Sequence, residues 1–214
     1  HAGRLDMKQI YSQLTQIRPV CVLDATHPYA DEVTKNIKEA CQTAGFPYMR
    51  ILRENTDMTE NVTGSAKAHI RVADSMREAV DLLNDKPYLE KNILLTTGSK
   101  HLPDYTKIQD YQNRAYLRLL PSPEMLQKAV DTGFLPAHLI AMQGPFSQEL
   151  NVALIKQSGI GVLVTKQSGK SGGFEEKISA AEQTGTDVIV IKRPKQEDGK
   201  NLSEAEAELK KIMT

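Results

Sequence analysis

Short apolar runs alternate with helical patterns along nearly the whole chain. Val20 to Leu23, Asn92 to Thr96, His138 to Met142, Gly161 to Thr165 and Asp187 to Ile191 read as strands. Pro47 to Leu52, His69 to Val72 and the alternating stretch Arg114 to Leu120 join them. Between strands, apolar residues recur every three or four positions. Asp31 to Ala44 carries Val33, Ile37, Ala40, Cys41 and Ala44 on one face, with Gly45 as its stop. Ser75 to Glu78 reads as a capping box for a helix to Leu83, and Ser203 to Glu206 as another. Pro123 starts a helix that Gly133 ends, and Gly185 closes the helix from Phe174 to Thr184. Strands alternating with helices predict an α/β fold with mostly parallel sheets. We expect two Rossmann-like lobes with a cleft between them. The polar run Asn84 to Lys91 reads as the linker, dividing the chain into residues 1–90 and residues 91–214 with their terminal helix.

The way the strands end suggests chemistry. The first apolar run stops at Asp24, and Ala25-Thr26-His27-Pro28-Tyr29 follows. In open α/β sheets, ligands sit beyond the carboxyl ends of the strands. Asp24 reads as an orienting carboxylate or as a turn cap. His27 reads as an acid or anion contact, or as a structural histidine. Tyr29 reads as a stacking or a packing residue, and Pro28 stiffens the turn. Arg50, at the next strand end, suits a carboxylate or phosphate.

Three later strands end in Gly, Ser or Thr before a helix. They are Thr97-Gly98-Ser99 with Lys100, Gly144-Pro145-Phe146-Ser147, and Thr165 to Gly173 with Lys166, Ser168, Gly169 and Gly172. Glycine lets backbone approach a ligand, and helix N-termini offer N–H groups to anions. Together they read as a site for a phosphate-bearing cofactor; singly, each reads equally well as turn and cap chemistry. None matches GxGxxG or GxxxxGK[ST], so spacing does not name the cofactor.

Composition narrows the classes. The 214 residues hold 27 Lys+Arg and 27 Asp+Glu, so no basic footprint points to nucleic acid. No apolar run approaches the roughly 20 residues of a membrane helix, and none reads as a signal peptide. Cys21 and Cys41 form neither a disulfide framework nor a metal-ligand cluster, so the expectation is a cytoplasmic protein without a metal centre. GxSxG, HExxH and a cysteine-nucleophile context are missing, which leaves hydrolase and metalloenzyme readings without support.

Asp24-Ala25-Thr26-His27-Pro28-Tyr29-Ala30 resembles the signature of the precorrin-6A reductases, including the cobalt-precorrin-6A reductases of cobalamin (corrin) biosynthesis. Gly3-Arg4-Leu5-Asp6, Tyr48-Met49-Arg50 with Arg53, Leu95 to Lys100, Gln143 to Ser147 with Glu149 and Asn151, Thr165 to Gly169 with Gly172-Gly173 and Glu176-Lys177, and Lys192-Arg193-Pro194 follow in the family's order. The resemblance implies an NADPH-dependent oxidoreductase, with NADH as the alternative, that reduces one double bond of a polycarboxylated tetrapyrrole lying in the cleft. It implies that Asp24, Thr26, His27, Pro28, Tyr29 and Arg50 serve the macrocycle, with His27 and Tyr29 as candidate catalytic groups. It implies that Thr97, Gly98, Ser99, Lys100, Gly144, Pro145, Phe146, Ser147, Thr165, Lys166, Ser168, Gly169, Gly172 and Gly173 hold the cofactor. A monomer or weak homodimer is expected. Family members open with a strand leading into a Gly-Gly-Thr-type loop, whereas this chain opens at His1, so the first lobe is expected to lack its N-terminal βα unit. The rival readings are another nucleotide-dependent α/β reductase or transferase, and a non-catalytic nucleotide-sensing module.

Overall fold

The computed structural model describes residues 5–26, 30–52, 68–167, 172–192 and 199–212. The chain divides into two units, His1–Thr56 with Pro194–Thr214, and Asp57–Arg193. Every strand pairing among the described residues is parallel, as the alternation of strands and helices predicts.

In the first unit, α1 (Met7–Ile17) precedes β1 (Val22–Asp24), and α2 (Asp31–Ala44) leads to β2 (Tyr48–Arg50). A capping box between Asp6 and Gln9 starts α1, and Gly45, in the left-handed conformation, ends α2. Ile10 and Leu14 of α1 pack on Ala40 and Cys41 of α2. β1 pairs with β2, and Lys200 extends the edge, donating its N–H to Arg50 O and accepting from Leu52 N–H.

The second unit holds β3 (Ile70–Ala73), α3 (Met76–Leu83) and β4 (Asn92–Leu95). Then come the short helices α4 (Leu102–Tyr105) and α5 (Tyr111–Arg114), β5 (Ala115–Leu119), α6 (Pro123–Asp131) and β6 (Leu139–Ala141). Next are α7 (Gln148–Gln157), β7 (Ile160–Lys166), α8 (Phe174–Thr184) and β8 (Asp187–Ile191), and in the first unit α9 (Leu202–Ile212) ends the described chain. The sheet order is β3-β8-β7-β4-β5-β6. Alternate residues of the central strands feed two cores. Ile93, Leu95, Val162, Val164, Ile189 and Ile191 face one side, and Leu94, Leu163, Val188 and Val190 the other. Strands buried on both faces read as continuous apolar runs, the pattern that located them.

Three expectations need correction. The boundary near residue 90 does not separate the units: β3 pairs with β8 through Ile70↔Val188 to Ala73↔Ile191, so β3 and α3 belong with the second sheet. The supposed linker is a run of turns that buries Tyr88, with Arg114 donating to the carbonyls of Tyr88, Leu89 and Leu83. The last capping box is Asn201 with Glu204, each side chain accepting from the other's backbone N–H, and not Ser203 with Glu206.

Candidate functional site

At the end of β1, Asp24 is 1% exposed. Its Oδ1 accepts from Arg50 Nη1 at 2.6 Å and from Thr26 N–H at 3.0 Å, and its Oδ2 accepts from the Tyr48 hydroxyl at 2.9 Å. Arg50 also donates to the Thr26 hydroxyl at 2.7 Å and the Thr26 carbonyl at 3.1 Å. The Thr26 and Thr34 hydroxyls meet at 2.9 Å, joining the turn to α2. Burial raises the Asp24 pKa, but the hydrogen bonds from Thr26 and Tyr48 and the Arg50 charge outweigh it and hold the carboxyl below its ordinary value. Burial and the hydrogen bond to Asp24 push the Tyr48 phenol upward. Asp24, Thr26 and Arg50 are therefore committed to one another. Their arrangement fixes the backbone leading into His27, Pro28 and Tyr29, which lie outside the described residues.

In the second unit, read outward from β4, the strands run β4-β5-β6 to one side and β7-β8 to the other. This is the Rossmann order, with β3 in the sixth place, and the order reverses between β4 and β7. The turns after these two strands therefore flank the switch point. Thr97 follows β4, and its hydroxyl lies 2.5 Å from that of Tyr105, which donates to Gly98 O at 2.8 Å. Gly98 has φ 79° and ψ −176°, a conformation essentially reserved for glycine, and a Cβ there would meet no atom of the described residues within 4 Å. Among the described residues nothing covers this face of the turn, so its backbone can approach a ligand, which fits a dinucleotide. The Ser99 hydroxyl lies 3.1 Å from Met125 Sδ at the start of α6, and Lys100 is exposed. Across the switch point, Lys166 ends β7 close enough for its charge to act on His101. Burial first, and the Lys166 and Lys100 charges after it, lower the His101 pKa against the opposing pull of Asp104.

The other two loops meet as well. Phe146 N and O lie 4.0 and 3.8 Å from the place of a Cβ on Gly173, whose φ of 61° suits glycine. Gly144, Pro145 and Ser147 are exposed, and the Ser147 hydroxyl caps α7 by accepting from Leu150 N–H. Thr165 is 0% exposed within β7, so its side chain is part of the sheet and not of a ligand surface. Ser168 and Gly169 lie outside the described residues.

A buried cluster lies beneath these two loops; the family motifs include its Phe146, Asn151 and Lys177, and sequence reasoning passed over its Arg118. Arg118 on β5 is 5% exposed, donates from Nη1 to Asn151 Oδ1 at 2.9 Å, and lies 4.1 Å from the Phe146 ring centroid. Burial lowers its pKa to about 10. Lys177 on α8 is equally enclosed and donates to Gly172 O at 2.6 Å. Burial, with repulsion from Arg118, lowers its pKa to about 8 against the attraction of Glu176. The signal for Arg118 was one charged residue in the apolar run Ala115 to Leu119.

A parallel sheet of this order, with a glycine turn at its reversal point, defines the class of dinucleotide-binding α/β proteins. Residues 1–211 match the family described as precorrin-6x reductase CbiJ/CobK, and the chain belongs to that family of oxidoreductases. It is 35% identical over 202 residues to a cobalt-precorrin-6A reductase of Priestia megaterium, covering 92% of this chain and 74% of the relative. It is 33% identical to the cobalt-precorrin-6A reductase of Methanothermobacter thermautotrophicus (90% of this chain, 60% of the relative). Identity is also 33% to that of Salmonella typhimurium (90% and 70%). The chain thus spans 60–74% of the length of these three relatives. A solved structure, a CobK precorrin-6A reductase, has the same fold, with a TM-score of 0.70 and 24% identity over 99% of this chain and 81% of that one. No helix among the described residues is long and apolar enough to cross a membrane.

Proposed function

We propose that the protein reduces one double bond of precorrin-6A or cobalt-precorrin-6A to the dihydro product, using NADPH, in corrin biosynthesis in the cytoplasm. Family membership supports the reaction class. The observation that carries the cofactor reading is the Gly98 turn at the switch point of the Rossmann-ordered sheet, open on one face and braced by Tyr105. Thr97 to Lys100, Gly144 to Ser147 and Lys166 to Gly173 are the proposed cofactor segments, with Thr97 and Thr165 acting through the backbone they hold. A bound nicotinamide supplies the hydride. The protein's contribution is to fix its position against the acceptor carbon, which lowers the entropic part of the barrier.

In the first unit, Asp24, Thr26 and Arg50 are positioning residues in this reading. They hold the segment carrying His27, Pro28 and Tyr29, of which His27 and Tyr29 are the proposed groups for binding the macrocycle and delivering the proton. The test is anaerobic assay of the purified protein with NADPH and either macrocycle, followed by His27→Ala and Tyr29→Phe. Turnover with wild type, and a kcat loss in at least one variant, is expected. NADPH binding without turnover of either macrocycle points to a different reductase. Unchanged kcat in both variants removes the catalytic assignment.

A further inference from the structure

The geometry points to a built oxyanion site in which Arg118 and Lys177 bind a phosphate or carboxylate group of a ligand. The site stands on its own observations; the choice of ligand rests on the reductase reading. Arg118 is buried and rigidly held: Asn151 takes Nη1, and Phe146 covers the guanidinium. Asn151 is fixed in turn, donating from Nδ2 to Ser147 O at 2.8 Å. Neither contact brings negative charge, and no carboxylate pairs with Arg118 among the described residues. Lys177 adds a second buried cation, donating to the neutral Gly172 carbonyl. Glu176 acts on Lys177, and its Oε2 is buried without a hydrogen-bond partner. Among the described residues, two enclosed cations thus face one carboxylate.

Enclosed charges are costly unless paired, and a planar guanidinium is suited to bidentate oxyanions. A ligand oxyanion would meet both cations below the rim where the Phe146 and Gly173 turns meet. Spacing suggests which anion. In dinucleotide-binding sheets, an acidic residue about 20 residues beyond the first glycine turn takes the ribose 2′-OH of NAD, and an arginine near that place accommodates the 2′-phosphate of NADP. Arg118 lies 20 residues beyond Gly98 (118 − 98), on the neighbouring strand. The other source of the same chemistry is a carboxylate of the macrocycle.

The test is calorimetric titration of the full chain with inorganic phosphate, NADPH, NADH and a polycarboxylated tetrapyrrole, comparing wild type with Lys177→Met, Arg118→Gln and Arg118→Lys. Phosphate should bind wild type, weaken at least tenfold in Lys177→Met and Arg118→Gln, and recover in part in Arg118→Lys. A loss for NADPH without a loss for NADH assigns the anion to the 2′-phosphate, and a loss for the tetrapyrrole alone assigns it to the macrocycle. Should Arg118→Gln fail to fold, Lys177→Met decides. Equal affinity of wild type and Lys177→Met for all four probes overturns the site. Phosphate binding that depends on both residues upholds it even if no macrocycle is turned over.

Discussion

Replacing Asp24 by Asn keeps its shape but removes the charge opposite a guanidinium that is 9% exposed. Asp24 receives hydrogen bonds from Arg50, Thr26 N–H and Tyr48, so the change strikes three partners at once. Breaking a buried ion pair by removing one partner costs roughly 3–5 kcal/mol, since the remaining charge stays enclosed. A chain of two units need not unfold in one step, so amide hydrogen exchange in β1 and β2 is the appropriate readout. A loss of about 3 kcal/mol corresponds to exchange about a hundredfold faster there. The carboxyl pKa lies below its ordinary value of 3.8, so Asp24 contributes its full stability above that value and loses it as pH falls toward the folded pKa. Wild type should therefore approach the variant below about pH 4, whereas Asp24→Asn lacks that acid titration. The double replacement Asp24→Leu with Arg50→Met should recover part of the loss, because no charge is then left buried, although the Thr26 N–H and the Tyr48 hydroxyl still lack their acceptor. Less than fivefold faster exchange in Asp24→Asn at neutral pH would refute the reasoning.

Gly98→Ala should destabilise the turn by about 1–3 kcal/mol through backbone strain alone, since the space is open, and should weaken NADPH in fluorescence titration. Unchanged affinity would remove this turn from the cofactor site. Lys166→Ala should raise the NADPH Kd more than it changes the single-turnover rate; the opposite ranking would place Lys166 with the chemistry. Lys177 faces Arg118 from β5 and Glu176 from its own helix, and its pKa is about 8. An anion favours its charged form, so NADPH affinity should be full below about pH 8 and fall above it, with Lys177→Met showing a flat profile in that range. A decline of the same size in Lys177→Met would assign the pH dependence to another group.

Local signals carried most of the fold. Ser75 accepts from Glu78 N–H, Pro123 opens α6, and Gly45 and Gly185 end α2 and α8 in the left-handed conformation, all as their residue types dictate. The domain boundary was not legible, because it depends on Ile70 to Ala73 pairing with residues more than a hundred positions later. Part of the site was legible in the same sense. Gly98 announced a turn at a strand end, but its place at the switch point required the order of strands that are not neighbours in sequence. Asp24 and Arg50 looked like ligand contacts because each ends an apolar run; only the β1–β2 register shows that they pair with each other. Arg118 escaped notice because Asn151, Phe146 and Lys177 come from α7, the turn before it, and α8.

The most direct test of the central claim is to follow the hydride itself. NADPH carrying deuterium at the transferring position is incubated anaerobically with the protein and precorrin-6A or cobalt-precorrin-6A, and the product is analysed by mass spectrometry and NMR. The account predicts one deuterium on a newly saturated ring carbon, with one NADPH oxidised per macrocycle. NADPH oxidation that leaves the macrocycle unlabelled, or a macrocycle recovered unreduced from either substrate, would contradict it.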